Sequence, residues 1–165
     1  MAKRVILIIG TADTKGDELL FLKSCIETAG AIPAVMDIGI LGTPNFEPDY
    51  SKHDVAAAAN TTNEAIIALG NENVAMTRQA EGAALLAQSL QQSGKIDGVL
   101  AIGGTMATDL ALDVVATLPL GFPKLIASTV AYSPLLSPDR ISADVMMILW
   151  SGGLYGLNPI CQSIL

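Results

Sequence analysis

The chain is poor in the residue types that build a reactive site on their own. Histidine occurs once, at His53, and cysteine twice, at Cys25 and Cys161, with no paired spacing. That excludes a Cys/His zinc module and a disulfide framework, predicts no resident metal, and makes a reducing cytoplasm the matching compartment. Lys and Arg number nine against sixteen acids, a net charge of −7, and the nine form no run or stripe. A surface of that sign repels polyanions, so nucleic acid is not an expected partner. Long hydrophobic runs are missing as well. Behind the basic start "MAKR", the first apolar run covers only residues 5–9. It is too short for a signal-peptide core, and no run reaches the length of a membrane span. Aromatic residues make up only 4%. A core must therefore come from Ala, Val, Ile, Leu and Met, as in layered α/β proteins.

What is present is aliphatic. Hydrophobic residues are 51% of 165, enough for one cooperative domain without metal or disulfide. The mean hydropathy of +0.50 is high for a monomer and predicts that a second domain or a partner subunit covers part of the surface, with a homo-oligomer as the expectation.

Residues 5–9 are a continuous β-branched and leucine run, the mark of a strand buried on both faces. Leu19, Leu22, Ile26 and Ala29 then recur at helical spacing, and Gly30 stands where a C-terminal cap belongs. Residues 32–39 read as a second strand, completing a right-handed β-α-β unit. The stretch 40–54, with Gly42, Pro44, Asn45 and Pro48, lacks periodicity and reads as a long surface loop that includes His53. "VAAAANTTNEAIIAL" (55–69) reads as one helix. A second follows over 72–94, with Met76, Ala80, Ala83, Ala84, Ala87 and Leu90 in one apolar stripe ended by Gly94. A third strand over 97–104 leads into a helix with Ala107, Leu110, Ala111, Val114 and Leu118 on one face, where Asp109 and Asp113 read as exposed charges. Strands over 123–129 and 144–150, the latter with Met146 and Met147 as core, precede a helix opening at Pro159. Five strands alternating with helices predict one three-layer α/β domain over 1–165, with an open parallel sheet of about five strands of the Rossmann or flavodoxin kind.

In such a sheet, ligands sit beyond the carboxyl ends of the strands. The first loop there, "GTADTKG", offers Gly10 and Gly16 for close approach, the hydroxyls of Thr11 and Thr14, and the charge of Lys15, all at the positive end of a helix. It is not a Walker loop, because Lys15 precedes Gly16. Asp13, Asp17 and Glu18 bring negative charge to the same turn, so a tight turn with acidic caps competes with an anion site. Asp13 is also a candidate for a divalent ion such as magnesium bridging phosphates. In the second loop, Gly103 and Gly104 expose peptide N–H groups, and Thr105 and Thr108 can complete an anion's shell. The competing reading is that these glycines only let strand and helix pack closely. Asp37 ends the second strand, where a carboxylate takes ribose hydroxyls in dinucleotide folds, but the missing G-x-G-x-x-G disfavours NAD. Ser128 and Thr129, and then Ser151, Gly152 and Gly153, supply further polar strand ends. No nucleophilic triad can be assembled, and Cys25 lies within a helix and reads as inert.

The motifs G-T-x-D-T-K-G and D-x-G-x-L-G-x-P, followed by "GVLAIGGTMATDLAL", resemble the amino-terminal domain of an uncharacterised protein family found in bacteria, fungi and plants. Its best-known plant member is the tomato mosaic virus resistance protein, an inhibitor of viral RNA replication. The resemblance covers roughly the first 130 residues. It implies an ATP-binding domain, with Gly10, Thr11, Asp13, Thr14, Lys15 and Gly16 in the first family loop, Asp37, Gly39, Leu41 and Gly42 in the second, and Gly103, Gly104 and Thr105 in the third. It also implies a carboxy-terminal domain beyond these 165 residues, as the apolar ending at Leu165 suggests. The last quarter departs from the pattern. "AYSPLLSP" replaces a Ser-Gly-Asp stretch, and "WSGGLYGLN" replaces a polar approach to Gly-Leu-Asn. A nucleotide or other phosphorylated small molecule is thus the expected ligand. The alternatives are a small-molecule enzyme whose site is shared with the second domain, with residues 42–54 as a lid, or a module for dimerisation or protein interaction.

Overall fold

The computed structural model describes residues 3–150 and 156–165. β1 (Val5–Gly10), α1 (Gly16–Thr28) and β2 (Ile32–Asp37) form the opening unit. Three helices follow, α2 (Lys52–Ala58), α3 (Asn63–Ala68) and α4 (Glu72–Gln92). Then come β3 (Gly98–Gly103), α5 (Thr105–Ala116), β4 (Lys124–Ser128), a 3-10 turn (Pro138–Arg140), β5 (Val145–Leu149) and α6 (Pro159–Ile164). The five strands lie in the order β2-β1-β3-β4-β5, all parallel. This is the flavodoxin-like order, an α/β fold with helices on both faces of the sheet.

Alternation along β1 shows how the layers are made. Leu7 and Ile9 face a core shared with α4 and α5, while Ile8 faces one shared with α1, Trp150 and α6. A strand buried on both sides needs a continuous apolar run, which is what residues 5–9 supply. The α4 stripe packs as its spacing predicts, and Gly30 and Gly94 sit beyond their helices at φ +85° and +68°, the left-handed conformation glycine takes without strain. No helix among the described residues is long and apolar enough to cross a membrane.

Four expectations change. The stretch 55–69 is not one helix, because Asn60 turns left-handed at φ 54° and Thr62 caps α3 by accepting from the Ala65 amide. The long loop ends at Ser51, which caps α2 in a reciprocal box with Asp54, so His53 lies in the first turn of α2, 3.7 Å from Glu64. Met146 is 62% exposed and Met147 only partly buried, because β5 is an outer strand of the sheet. Asp109 and Asp113 are not solitary charges, since Arg140 from the β4–β5 crossover bonds both carboxylates. At the opposite edge, Tyr50 returns to bridge β2, its N–H donating to Val35 and its carbonyl accepting from Asp37. That bridge covers backbone groups an outer strand would otherwise leave open.

A candidate ligand cleft at the switch point

After β1 the chain crosses to β2 on one side, and after β3 it crosses to β4 on the other. The gap between their carboxyl ends is the switch point of the sheet, where crevices form in this architecture. A cleft of about 830 Å³ opens there, within the size range of small-molecule sites. Thr11, Asp13, Thr14 and Lys15 line it from the β1–α1 loop, and Ile38, Gly39, Ile40 and Leu41 from the segment after β2. Ile67, Asn71, Glu72 and Met76 come from α3 and the start of α4, and Gly104, Thr105, Met106 and Leu110 from α5.

Three helices point their N-termini at this space, and their capping differs. Asn71 caps α4 through its side chain. Among the described residues, no side chain caps α1, whose N-cap is Lys15, or α5, whose N-cap is Gly104. The orphan amides of an uncapped first turn, together with the helix dipole, favour an anion. The two ends are not equivalent. α1 carries Asp17 and Glu18 in its first turn, whereas α5 carries no acid there.

The expected site residues separate into those on the cleft and those behind it. The hydroxyls of Thr11 and Thr14 share a 2.6 Å hydrogen bond at the rim. Asp13 lies against Gly42, where a Cβ would overlap its carboxylate. Lys15 stands 3.8 Å from a Glu18 oxygen and 5.5 Å from the centre of the Trp150 ring, a cation–π arrangement. Gly10 and Gly103 serve packing. A Cβ on Gly10 would come within 3.0 Å of Leu19 and 3.2 Å of Ile102, and one on Gly103 would overlap Ala107. Gly16 is confined by Asn45, 2.6 Å from where a Cβ would stand. Gly104 is the exception, since a Cβ there would meet only the Thr129 hydroxyl, at 3.6 Å.

Asp37 is 2% exposed. Its Oδ1 accepts from the amides of Ala12 and Gly39, both at 2.9 Å, so it braces two cleft loops from beneath. Thr108 and Ser128 are buried and bonded to each other at 2.7 Å, and Ser128 also accepts from the Val130 amide. They tie α5 to the end of β4. The Thr129 amide donates to the Gly103 carbonyl. Ser151, Gly152 and Gly153 lie outside the described residues.

Three side chains that sequence reasoning missed hold the segment after β2. Gln79, fully buried on α4, donates to the Gly39 carbonyl at 3.0 Å. Asn63 on α3 donates to Ile40, and Lys52 on α2 donates to Ile40, Leu41 and Gly42. Only Gln79 left a trace in the sequence, as an amide one turn from Ala75 and Ala83 on a buried face. Among the described residues, no group of three or more His, Cys, Asp or Glu is placed to hold a metal ion.

With this geometry in place, residues 4–165 match the model of the family described as "Uncharacterised protein family (UPF0261) N-terminal domain". The chain belongs to this family. It is 61% identical over 160 residues to a UPF0261 protein of Brucella suis biovar 1, covering 97% of this chain and 38% of the relative. A UPF0261 protein of Brucella melitensis biotype 1 is 60% identical over the same shares. One from Clostridium tetani is 32% identical, with 97% of this chain and 39% of the relative covered. The chain thus spans less than two-fifths of the length of the UPF0261 relatives it matches. The link to the plant resistance protein rests on the quoted motifs alone.

Proposed function

We propose that this UPF0261 domain binds a nucleotide, ATP or a close analogue, in the switch-point cleft. The observation that carries this reading is the pair of helices, α1 and α5, that open onto one crevice without a side-chain cap among the described residues. The phosphates would lie on the first-turn amides of α5, from Gly104 onward, with Thr105 and the Thr11–Thr14 hydroxyl pair beside them. Lys15 would add charge from the α1 side, and Asp13 would hold magnesium where the nucleotide brings it. The base and ribose would lie along Ile40, Ile67 and Met76. Asp37, Gly10, Gly16, Gly39, Gly103, Thr108, Ser128 and Thr129 would shape the loops rather than bear the load of the ligand. A cytoplasmic setting goes with this ligand and with the two free cysteines.

Calorimetric titration with ATP, with and without magnesium, tests it against NAD and inorganic phosphate. ATP should bind in preference to both. Gly104→Val should abolish binding while the chain stays folded, because a Cβ there makes only an ordinary 3.6 Å contact with the Thr129 hydroxyl, and Lys15→Ala should weaken it. A folded chain that takes up no ATP, or one indifferent to Gly104→Val, overturns the reading.

The rim of the cleft favours a second reading. Leu41 and Met106 project there as exposed apolar side chains, as expected where further chain closes over a site shared between domains. A full-length UPF0261 relative would then turn over a small molecule that this domain only binds. Equal activity of the two would remove this reading.

A further inference from the structure

The outer face of α4 carries a pattern whose spacing is the same in both directions and whose charges exchange sign on reversal. Val74 stands four residues before Arg78, and Leu85 stands four residues after Glu81. Val74 is 51% exposed and Leu85 49%, and the charged pair between them reaches solvent. Two α4 helices laid antiparallel, with a two-fold axis at the height of Gln79 and Ala80, would set Val74 against the partner's Leu85. The same axis sets Arg78 against the partner's Glu81. Such self-complementarity is what an isologous interface requires.

The surface beside this stripe has the matching shape. A groove of about 350 Å³ runs between α3 and α4, lined by Ala65, Ile66, Leu69, Val74, Thr77 and Arg78. The antiparallel arrangement brings the partner's Leu85 to its Val74 end. Leu69, 47% exposed, is a second apolar side chain left in water by the isolated chain. Arg78 is already oriented, since its Nη2 donates to the Ala59 carbonyl at 2.9 Å. Its Nη1 bonds Glu81 within the same helix. An exposed i,i+3 pair of this kind contributes little, so exchanging it for the equivalent pair across the axis is nearly free of cost.

We propose that the chain forms a two-fold dimer through antiparallel α4 helices, with the α3–α4 groove of each copy receiving Leu85 of the other. The occupant is a second copy because an antiparallel duplicate of the stripe offers an opposite charge to each of Arg78 and Glu81 and an apolar side chain to each of Val74 and Leu85.

Sedimentation equilibrium and light scattering on the purified 165-residue chain test this. The wild type should show twice the 17.1 kDa of one chain, and Leu85→Asp should reduce it to one chain. Arg78→Glu and Glu81→Arg should each be monomeric alone, because each places like charges face to face. Mixed in equal amounts, they should recover a dimer containing one of each, since every facing pair is then opposite in sign. Thermal melts of all variants check that α4 remains folded. A wild type that stays monomeric up to about 1 mM, the weak end of specific association, overturns the proposal. So does a dimer that survives Leu85→Asp, or a mixture that stays monomeric while both melts are native.

Discussion

Asp37 shows how much of the switch-point cleft depends on a side chain buried beneath it. One carboxylate oxygen accepts from Ala12 behind the first loop and from Gly39 behind the second. Asp37→Ala would leave two buried amides unpaired, at about 1–3 kcal/mol each, whereas Asp37→Asn keeps an acceptor in place and should cost less. Urea denaturation of the two variants measures the difference, and equal losses would refute this role. The adjacent glycines give a second contrast. Gly103→Ala drives a methyl into Ala107, an overpacking expected to cost about 1–3 kcal/mol. Gly104→Ala makes only an ordinary 3.6 Å contact with the Thr129 hydroxyl at an extended backbone, φ −82° and ψ −159°, and should cost less than Gly103→Ala. Two neighbouring glycines that look alike in "IGGT" thus have different reasons to be glycine.

At the scale of elements, what could be read in advance was what is local. The buried parallel strands announce themselves as apolar runs, and the α4 stripe as a 3.6-residue period, because burial on a fixed face leaves that mark on the chain. The break between α2 and α3 has a local cause too, but the alanines on both sides hide it. Its signals are Asn60, suited to the left-handed region, and Thr62, a good N-cap. Thr62→Ala should therefore lower stability by about 1 kcal/mol in chemical denaturation, while the same change at Thr61, whose hydroxyl caps neither helix, should have little effect. What could not be read is what depends on strand order. Met146 looks like core until β5 proves to be the outermost strand, and Lys52, Asn63 and Gln79 look unrelated until three helices bring them to one loop. The candidate site was legible in part for the same reason. Gly104, Thr105 and the β1–α1 loop lie next to strand ends, whereas the apolar wall from α3 and α4 follows only from the fold.

Over the whole molecule, the two edges of the sheet divide the work. The carboxyl edge carries the cleft, and the amino edge is fastened by carboxylates. Asp97, just before β3, accepts from the Val5 amide that opens β1 and pairs with Arg4. Asp144, just before β5, accepts from the buried Lys124 ammonium at 2.7 Å and from the Gly121 amide. Each carboxyl is held below its ordinary value of 3.8, Asp97 chiefly by the Val5 amide and then Arg4, and Asp144 chiefly by Lys124 and then Gly121. A carboxylate whose folded pKa is depressed stabilises the fold above its unfolded value, and that stabilisation disappears as pH falls through the folded one. The urea midpoint should accordingly be flat from neutrality to about pH 5 and decline below about pH 4. Asp144→Asn should be less stable at pH 7, because among the described residues Lys124 then keeps the Pro119 carbonyl alone, and its decline in acid should be shallower than that of the wild type. Asp97→Asn should flatten the same limb independently, since the two carboxylates share no partner. An acid limb unchanged in both variants would rule out the amino-edge carboxylates as its cause.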